Sequence, residues 1–244
     1  MAKSNADEVG KQTQNIDVNV KSKEIGNESS HQTGTVITAS NTLSSTATAP
    51  APGNPSEVTS LDCLIKHPLQ NQWTLWYYEN EKGKNWELCQ HQIASFDTVE
   101  DFWSLFNHIK LASEIKSGND YSLFKNGIRP MWEDDTNKNG GRWVISLGKF
   151  YRTNELDNLW LELVLCLIGD AFEYSEDICG AVVNIRPRGH KIAIWTANNN
   201  KHKILSIGKK LKESLALPQE MLITYEFHKE TAFNRGNKAP AYSL

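Results

Sequence analysis

Residues 73–78 read Trp73-Thr-Leu-Trp-Tyr-Tyr78, an alternating segment that is rich in aromatic side chains. Such a pattern predicts a β-strand with one face against a core. The segment continues into Glu-Asn-Glu-Lys-Gly-Lys-Asn, whose glycine and polar residues are typical of a loop. The sequence therefore predicts a strand that enters a loop ending at or near Trp86.

Working outward, further strands and three helices are predicted. The strand segments are rich in β-branched residues and are flanked by Gly, Pro or Asn, and the helix segments have apolar residues at helical spacing. Helical segments between strands predict an α+β fold, with one curved antiparallel β-sheet and the helices packed on one face. The predicted strands are Trp143-Val-Ile-Ser-Leu, Cys179 to Ile185, Lys191 to Trp195 and Met221 to Phe227, and the helices begin at an Asp97/Glu100 capping box, at Leu156 and at His202.

Composition divides the 244 residues into two parts. Residues 1–60 contain no aromatic residue and are rich in Ser, Thr, Asn and Ala, so they cannot bury enough apolar surface to offset the entropy of ordering. We predict a disordered tail over residues 1–60 and one folded domain over residues 61–244.

Charge and cysteine usage exclude several classes of protein. The net charge of −3 argues against general coating of RNA or DNA, which needs a broad basic surface. No export signal or membrane-spanning run is present, so a cytoplasmic protein is expected. The four cysteines lack zinc-ligand spacing, and we expect free thiols, no metal site and no cofactor.

Two tryptophans, Trp86 and Trp132, lie in polar, turn-rich stretches rather than in apolar runs. Their rings offer flat stacking surfaces, and the neighbouring Glu133 offers two acceptor oxygens. This combination suits a planar ligand with two N–H donors on its edge, such as guanine, and a positively charged ring would gain a further cation–π attraction. The alternative is that both rings are half-buried residues of an ordinary loop.

A basic turn between two predicted strands contains Arg186, Arg188 and Lys191. Three neighbouring cations suit a di- or triphosphate, to which Arg142 could add a weaker contact. The alternative is a solvated hairpin tip.

The helix starting at Leu156 has a second apolar stripe, formed by Leu161, Leu165 and Ile168. Val99 and Trp103, four residues apart in the first helix, could extend this stripe into an exposed patch for an amphipathic partner helix. Complete burial of both stripes is the alternative.

Enzyme motifs for nucleotide hydrolysis, nucleophilic catalysis and zinc proteolysis are absent from the sequence. The carboxylates at 133–135 could hold a metal that cleaves a pyrophosphate, but ligand hydrogen bonding or solvation is favoured. The sequence therefore predicts a protein that is not an enzyme.

Six segments resemble the eukaryotic translation initiation factor 4E family, the mRNA 5′-cap-binding proteins. The resemblance runs from about His67 to Phe227. It implies the fold of that family, with about eight antiparallel strands backed by three long helices on the convex face. The segments are His-Pro-Leu-Gln-Asn-Gln-Trp at 67–73, Phe-Asp-Thr-Val-Glu-Asp-Phe-Trp at 96–103, Pro-Met-Trp-Glu-Asp at 130–134, Gly-Gly-Arg-Trp at 140–143, Cys-Leu-Ile-Gly at 166–169 and Lys-Ile-Ala-Ile-Trp at 191–195.

The resemblance assigns a role to each candidate residue of the ligand site. It implies that Trp86 and Trp132 sandwich 7-methylguanine, with Glu133 accepting from N1 and N2 and the Trp132 backbone N–H binding O6. It places Trp195 at the N7-methyl group. Arg142, Arg186, Arg188 and Lys191 would face the triphosphate of capped mRNA.

A second surface is implied on the opposite, convex face. It would take the Tyr-x-x-x-x-Leu-Φ helix of the scaffold factor 4G and of competing 4E-binding proteins, with the protein acting as a monomer within the cap-binding 4F complex. The implied function is cap-dependent translation initiation, with a translational repressor as the alternative. The matching positions are His67, Pro68, Val99, Trp103, Leu161, Glu162, Leu165 and Gly169.

Two departures from the family pattern lie near the C-terminus and in the basic turn. Asn237 lines up with the regulatory C-terminal serine of the family, which puts phosphorylation there in doubt. Pro187, between two arginines of the basic turn, is expected to stiffen it.

Overall fold

The computed structural model describes residues 65–148, 153–233 and 239–244. The tail predicted for residues 1–60 lies outside the described residues, as do Cys63 and Asn237. The domain boundary at residue 60 therefore stays a prediction.

Within the described ranges, eight strands form one antiparallel sheet, which confirms the predicted fold class. Their order across the sheet is β2-β1-β3-β5-β6-β4-β7-β8. The start of the last predicted strand was wrong: it was predicted at Met221, but β7 begins at Thr224, where its pairing with β4 starts. The strands are β1 Pro68–Tyr78, β2 Gln90–Thr98, β3 Asp120–Lys125, β4 Gly141–Leu147, β5 Ile178–Asn184, β6 His190–Thr196, β7 Thr224–Phe227 and β8 Tyr242–Ser243.

The three predicted helices are present and a short fourth follows them: α1 Val99–Phe106, α2 Thr153–Ile168, α3 Lys201–Ser214 and α4 His228–Phe233. The N-cap of α1 is Thr98 rather than the predicted Asp97. The Thr98 hydroxyl accepts from the Asp101 backbone N–H at 3.2 Å and donates to the Asp101 carboxylate at 2.7 Å. The reciprocal cap of the first turn is therefore shifted by one residue.

The two faces of the sheet have different neighbours because side chains alternate along each strand. One face packs against α2 and α3 in the main core. Trp143, fully buried in β4, joins this core and donates its indole N–H to the Ile204 carbonyl of α3 at 2.8 Å. The other face carries a smaller apolar cluster that includes Phe124, Val144 and Trp195. The helices thus cover one face and leave the second for a cleft.

The described cysteines, Cys89, Cys166 and Cys179, are free thiols. Burial raises the pKa of Cys179 to about 12, so this thiol stays protonated. None of the described helices is long and apolar enough to span a membrane.

Candidate functional site

A cleft of about 630 Å³ lies on the sheet face opposite the helices. Five of the eight residues predicted for the ligand site line it, although they come from distant parts of the chain. The residues lining it are Asn85, Trp86, Glu87, Gln90, Asp120, Ser122, Pro130, Met131, Trp132, Glu133, Arg142, Val182, Asn184 and Trp195.

Trp86 enters the cleft from the loop between β1 and β2, where it opens a 3₁₀ turn, Trp86–Cys89. Its side chain is 40% exposed. The ring stacks on Tyr78 at the end of β1, with centroids 6.2 Å apart and planes inclined by 30°. The strand end therefore supports a ring that remains accessible to a ligand.

Trp132 and Glu133 lie in the loop between β3 and β4, which polar side chains hold in shape. The fully buried Asn137 donates from Nδ2 to the carbonyl of Arg129 at 2.9 Å and to that of Met131 at 2.8 Å. Trp132 is half-buried and packs on the apolar cluster under the cleft, whereas Glu133 is exposed. The loop thus fixes the ring while its neighbouring carboxylate remains open to a ligand.

Trp195 forms part of the cleft floor and is 8% exposed. Phe124 meets it edge-on at 5.4 Å, and the His228 ring lies 4.1 Å away. Burial, followed by the nearby Arg142 charge, lowers the pKa of His228 to about 3, so the imidazole behind Trp195 is neutral. Neither the Trp195 indole nitrogen nor His228 Nε2 has a hydrogen-bond partner in the described part of the chain.

Arg142 lies beside Trp195, because the two residues are paired across β4 and β6. Its guanidinium donates to Glu226 Oε2 from Nη2 at 3.0 Å and from Nε at 3.3 Å. This ion pair is about one-third exposed on each side. A cation is therefore held at the cleft wall, partly neutralised by its neighbour.

The basic turn between β5 and β6 lies next to the cleft but outside its lining. Arg186 makes a two-pronged ion pair with Asp120, at 2.5 and 3.0 Å, and Asp120 does line the cleft. Burial raises the pKa of Asp120 although the Arg186 hydrogen bonds oppose it. Arg188 and Lys191 are exposed, and strand alternation places Lys191 on the same face as Trp195.

The three acidic residues at 133–135 do not converge. Asp134 accepts from the backbone N–H groups of Arg129 and Thr136, at 3.2 and 3.0 Å, and so shapes the loop. Asp135 pairs with Lys138 at 2.7 Å. Within the ranges that the structure describes, these carboxylates do not form a group close enough to share a metal ion.

The second predicted surface combines the start of β1 with α1 and α2. The Val99 backbone N–H donates to the His67 carbonyl at 2.9 Å, which brings His67 and Pro68 to the N-terminus of α1. Trp103 is 37% exposed and Leu165 is 36% exposed. Leu161 is partly buried, while Glu162 and Gly169 are exposed.

One member of the predicted apolar stripe is not part of this surface. Ile168 is only 6% exposed and belongs to the main core, because it lies on the edge of α2 that turns toward the sheet. The predicted stripe is therefore exposed mainly at Leu165.

Three residues of the site were not predicted from the sequence: Asp120, Asn137 and His228. Asp120 starts a strand that was not predicted, and Asn137 resembles any other loop asparagine in sequence. His228 follows the last predicted strand directly, and that position was the one available signal that it could lie on the sheet. Their roles depend on tertiary neighbours that spacing along the chain does not specify.

Known proteins resemble this chain in sequence and in fold. Residues 68–242 match the profile of the family described as eukaryotic initiation factor 4E. The chain is 56% identical over 201 residues to eukaryotic translation initiation factor 4E1 of Drosophila melanogaster, covering 82% of this chain and 77% of the relative. It is 53% identical over 183 residues to human eukaryotic translation initiation factor 4E, covering 74% and 84%.

Solved structures give the same assignment. The eIF4E-3 protein of C. elegans, in complex with the 4E-binding protein Mextli and a cap analog, is 44% identical with a TM-score of 0.69, covering 74% of this chain and all of that chain. The eIF4E-3 protein of Ascaris suum, in complex with m7G cap, is 47% identical with a TM-score of 0.70, covering 74% and 98%. By sequence and by fold, this chain belongs to the eukaryotic initiation factor 4E family.

Proposed function

We propose that this protein binds the 7-methylguanosine 5′ cap of mRNA and recruits the scaffold factor 4G to start cap-dependent translation in the cytoplasm. One observation carries the proposal: Trp86, Trp132, Glu133 and Trp195 line a single cleft. Solved relatives of the same fold carry a cap analog or m7G cap.

The two indole rings account for preference for a methylated base. Each stacked face contributes about 1–3 kcal/mol in other base–aromatic contacts. A positive charge on the ring adds about 0.5–2 kcal/mol by cation–π attraction, which unmethylated guanine lacks. We assign the sandwich to Trp86 and Trp132, and the N7-methyl contact to Trp195.

Hydrogen bonding would select guanine among the bases. Glu133 is exposed beside Trp132, and its two oxygens can accept from the N1 and N2 groups of guanine. We assign the O6 contact to the Trp132 backbone N–H. Adenine offers no such pair of donors on that edge, so the carboxylate would be desolvated without compensation.

The triphosphate would meet Arg142, Arg186, Arg188 and Lys191. Arg142 and Arg186 already pair with Glu226 and Asp120, so a phosphate must share or displace these carboxylates. Arg188 and Lys191 are exposed and can turn toward a ligand. The proposed activity is binding without bond cleavage: Asp134 accepts from backbone N–H groups of its own loop and Asp135 pairs with Lys138, which leaves Glu133 for the base.

Affinity measurements by calorimetry test the cap site. Wild-type protein is expected to bind 7-methyl-GTP about two-fold to thirty-fold more tightly than GTP, which is the range that the extra cation–π attraction gives. Trp86→Ala and Glu133→Ala should weaken 7-methyl-GTP binding. Trp103→Ala is a matched control, because its ring is almost as exposed as that of Trp86 but lies on the second surface. Equal affinity for both nucleotides would refute the proposal.

A repressor is the second candidate, because several solved neighbours hold a 4E-binding protein. Both candidates would use the surface around Val99, Trp103 and Leu165. Binding of a Tyr-x-x-x-x-Leu-Φ peptide from the scaffold factor and one from a 4E-binding protein can be compared directly. A strong preference for the second peptide favours the repressor, whereas unchanged binding of both to Trp103→Ala contradicts the proposed surface.

A further inference from the structure

A cluster of three potential metal ligands lies at the base of the loop that carries Trp86. Glu79 and Glu81 directly follow β1, and His91 lies in β2. One ligand atom from each side chain lies within 4.8 Å of those of the other two. We propose that Glu79, Glu81 and His91 bind a divalent metal ion of the zinc type.

The strand register explains why these residues meet. Tyr77 pairs with His91, and the Glu79 backbone N–H donates to the Cys89 carbonyl at 2.9 Å, which extends the pairing by one step. Glu79 and His91 are therefore diagonal neighbours on one face of the hairpin. Gln90, one residue from His91, lines the cleft, so alternation places the cluster on the reverse face.

Within the described ranges, one polar atom of the cluster lacks a partner. His91 Nε2 is buried and has no hydrogen-bond partner among the described residues. Buried polar atoms are nearly always paired, and a metal ion would be a partner for the imidazole. Glu81 pairs with Lys84 at 2.7 Å in the free protein, and an ion would displace that ammonium. The three side chains are half-buried, which lowers the cost of excluding water around the ion.

The donor set selects among metals. One imidazole and two carboxylates suit zinc and similar transition metals, whereas magnesium and calcium prefer oxygen ligands alone. Bonds to such ions are about 2.0–2.2 Å long, so neighbouring ligand atoms should lie roughly 3–4 Å apart. The three ligand atoms lie within 4.8 Å of one another, so a bound ion requires them to move closer by up to roughly 1–2 Å. Water would complete the coordination, since the chain supplies three ligands.

Metal titration of the full-length protein tests the site. Cobalt(II), used as a spectroscopic probe, is expected to give a saturable d–d absorption at one equivalent, which zinc then removes. A thiolate-to-cobalt charge-transfer band would instead indicate cysteine ligation and overturn the proposal. Magnesium in excess should not compete.

Two variants and one control assign the ligands. His91→Ala and Glu79→Gln should each weaken zinc binding by at least about ten-fold, as loss of a supporting residue alone can do that much. His108→Ala removes an exposed imidazole elsewhere and should bind zinc like the wild type. Equal zinc affinity in His91→Ala and His108→Ala, or no saturable binding by the wild type, would overturn the site. None of these results depends on the cap-binding proposal.

Discussion

At the residue scale, His228 shows how burial controls the charge behind the cleft floor. This residue is 4% exposed, its ring lies against that of Trp195, and the charge of the nearby Arg142 acts on it. A charged imidazole there would be desolvated and would face a second cation. The fold therefore selects the neutral form of this histidine.

The stability of the protein should consequently fall in mild acid. The His228 pKa drops from 6.5 to about 3 on folding, so the unfolded chain takes up the proton first. Above pH 6.5, His228 does not lower the free energy of unfolding. As the pH falls from 6.5 toward 3, it lowers that free energy by up to about 1.4 kcal/mol per pH unit. Denaturant unfolding across this range measures it.

A ring-preserving variant isolates the effect of His228. His228→Phe keeps an aromatic ring against Trp195 but cannot titrate, so its unfolding free energy should depend less steeply on pH. His108→Phe, at an exposed position, should keep the wild-type slope. If the unfolding free energy depends on pH equally in all three proteins, burial of His228 is not the cause of that dependence.

Asn137 is expected to control the shape of the Trp132 loop. Asn137→Ala removes one buried and one partly buried hydrogen bond, at a cost of about 1–3 kcal/mol in unfolding free energy, and leaves two carbonyls without that donor. The loosened loop should also weaken 7-methyl-GTP binding. Asn139→Ala, in the same loop but exposed, is the matched control for unfolding and for calorimetry. If both variants bind alike, the loop does not depend on Asn137.

At the element scale, the N-terminus of α1 joins the second surface to the sheet. Thr98 ends β2 and caps α1, while the His67 carbonyl accepts from Val99. The Glu100 carboxylate accepts from the His67 backbone N–H and pairs with its ring, which lowers the Glu100 pKa to about 2. The short helix is therefore positioned by its first turn.

Removing the cap should destabilise the protein and the surface together. Thr98→Ala is expected to lower the unfolding free energy by about 1 kcal/mol, because the Asp101 backbone N–H loses its side-chain acceptor. Ser104→Ala removes a hydroxyl from the same helix at an exposed position and should have little effect. Thermal unfolding measures the stability of both variants. An equal loss of stability in the two variants would contradict a stabilising role for the Thr98 N-cap.

Helices and strands with strong periodicity were predicted from the sequence, whereas the ends of these elements and the weakly patterned strands were not. Residues 156–168 form most of α2 because leucines and Trp160 repeat at helical spacing. β2 and β3 were not predicted from pattern, because Gln90–Thr98 is polar along an exposed edge and Asp120–Lys125 is short. Trp86 and Trp132 were predicted as ligand-site residues because large aromatic rings are unusual in polar stretches. The Arg186–Asp120 ion pair was not predicted, because it depends on strand pairing that the sequence does not display.

At the scale of the whole molecule, charge limits what else the protein can bind. The net charge is −3, and three of the four cations assigned to the triphosphate, Arg186, Arg188 and Lys191, lie in or beside the single turn between β5 and β6. A longer RNA would meet few further basic partners. Counterion release, the main source of nonspecific RNA affinity, is therefore small.

Extending the RNA beyond the cap should thus add little affinity. A capped decanucleotide is expected to bind within about ten-fold of 7-methyl-GTP, and the same RNA without the cap should bind far more weakly. Filter binding at two salt concentrations measures both. Tight, salt-sensitive binding of the uncapped RNA would show an additional basic surface.

The burial of Trp143, whose indole joins β4 to α3, also affects the optical behaviour of the protein. An indole that is fully buried and donates to a backbone carbonyl is out of reach of iodide and of a ligand in the cleft. Trp73 and Trp160 are similarly shielded. Intrinsic emission should therefore separate into a shielded fraction that persists when the cleft is full and an accessible fraction that is lost.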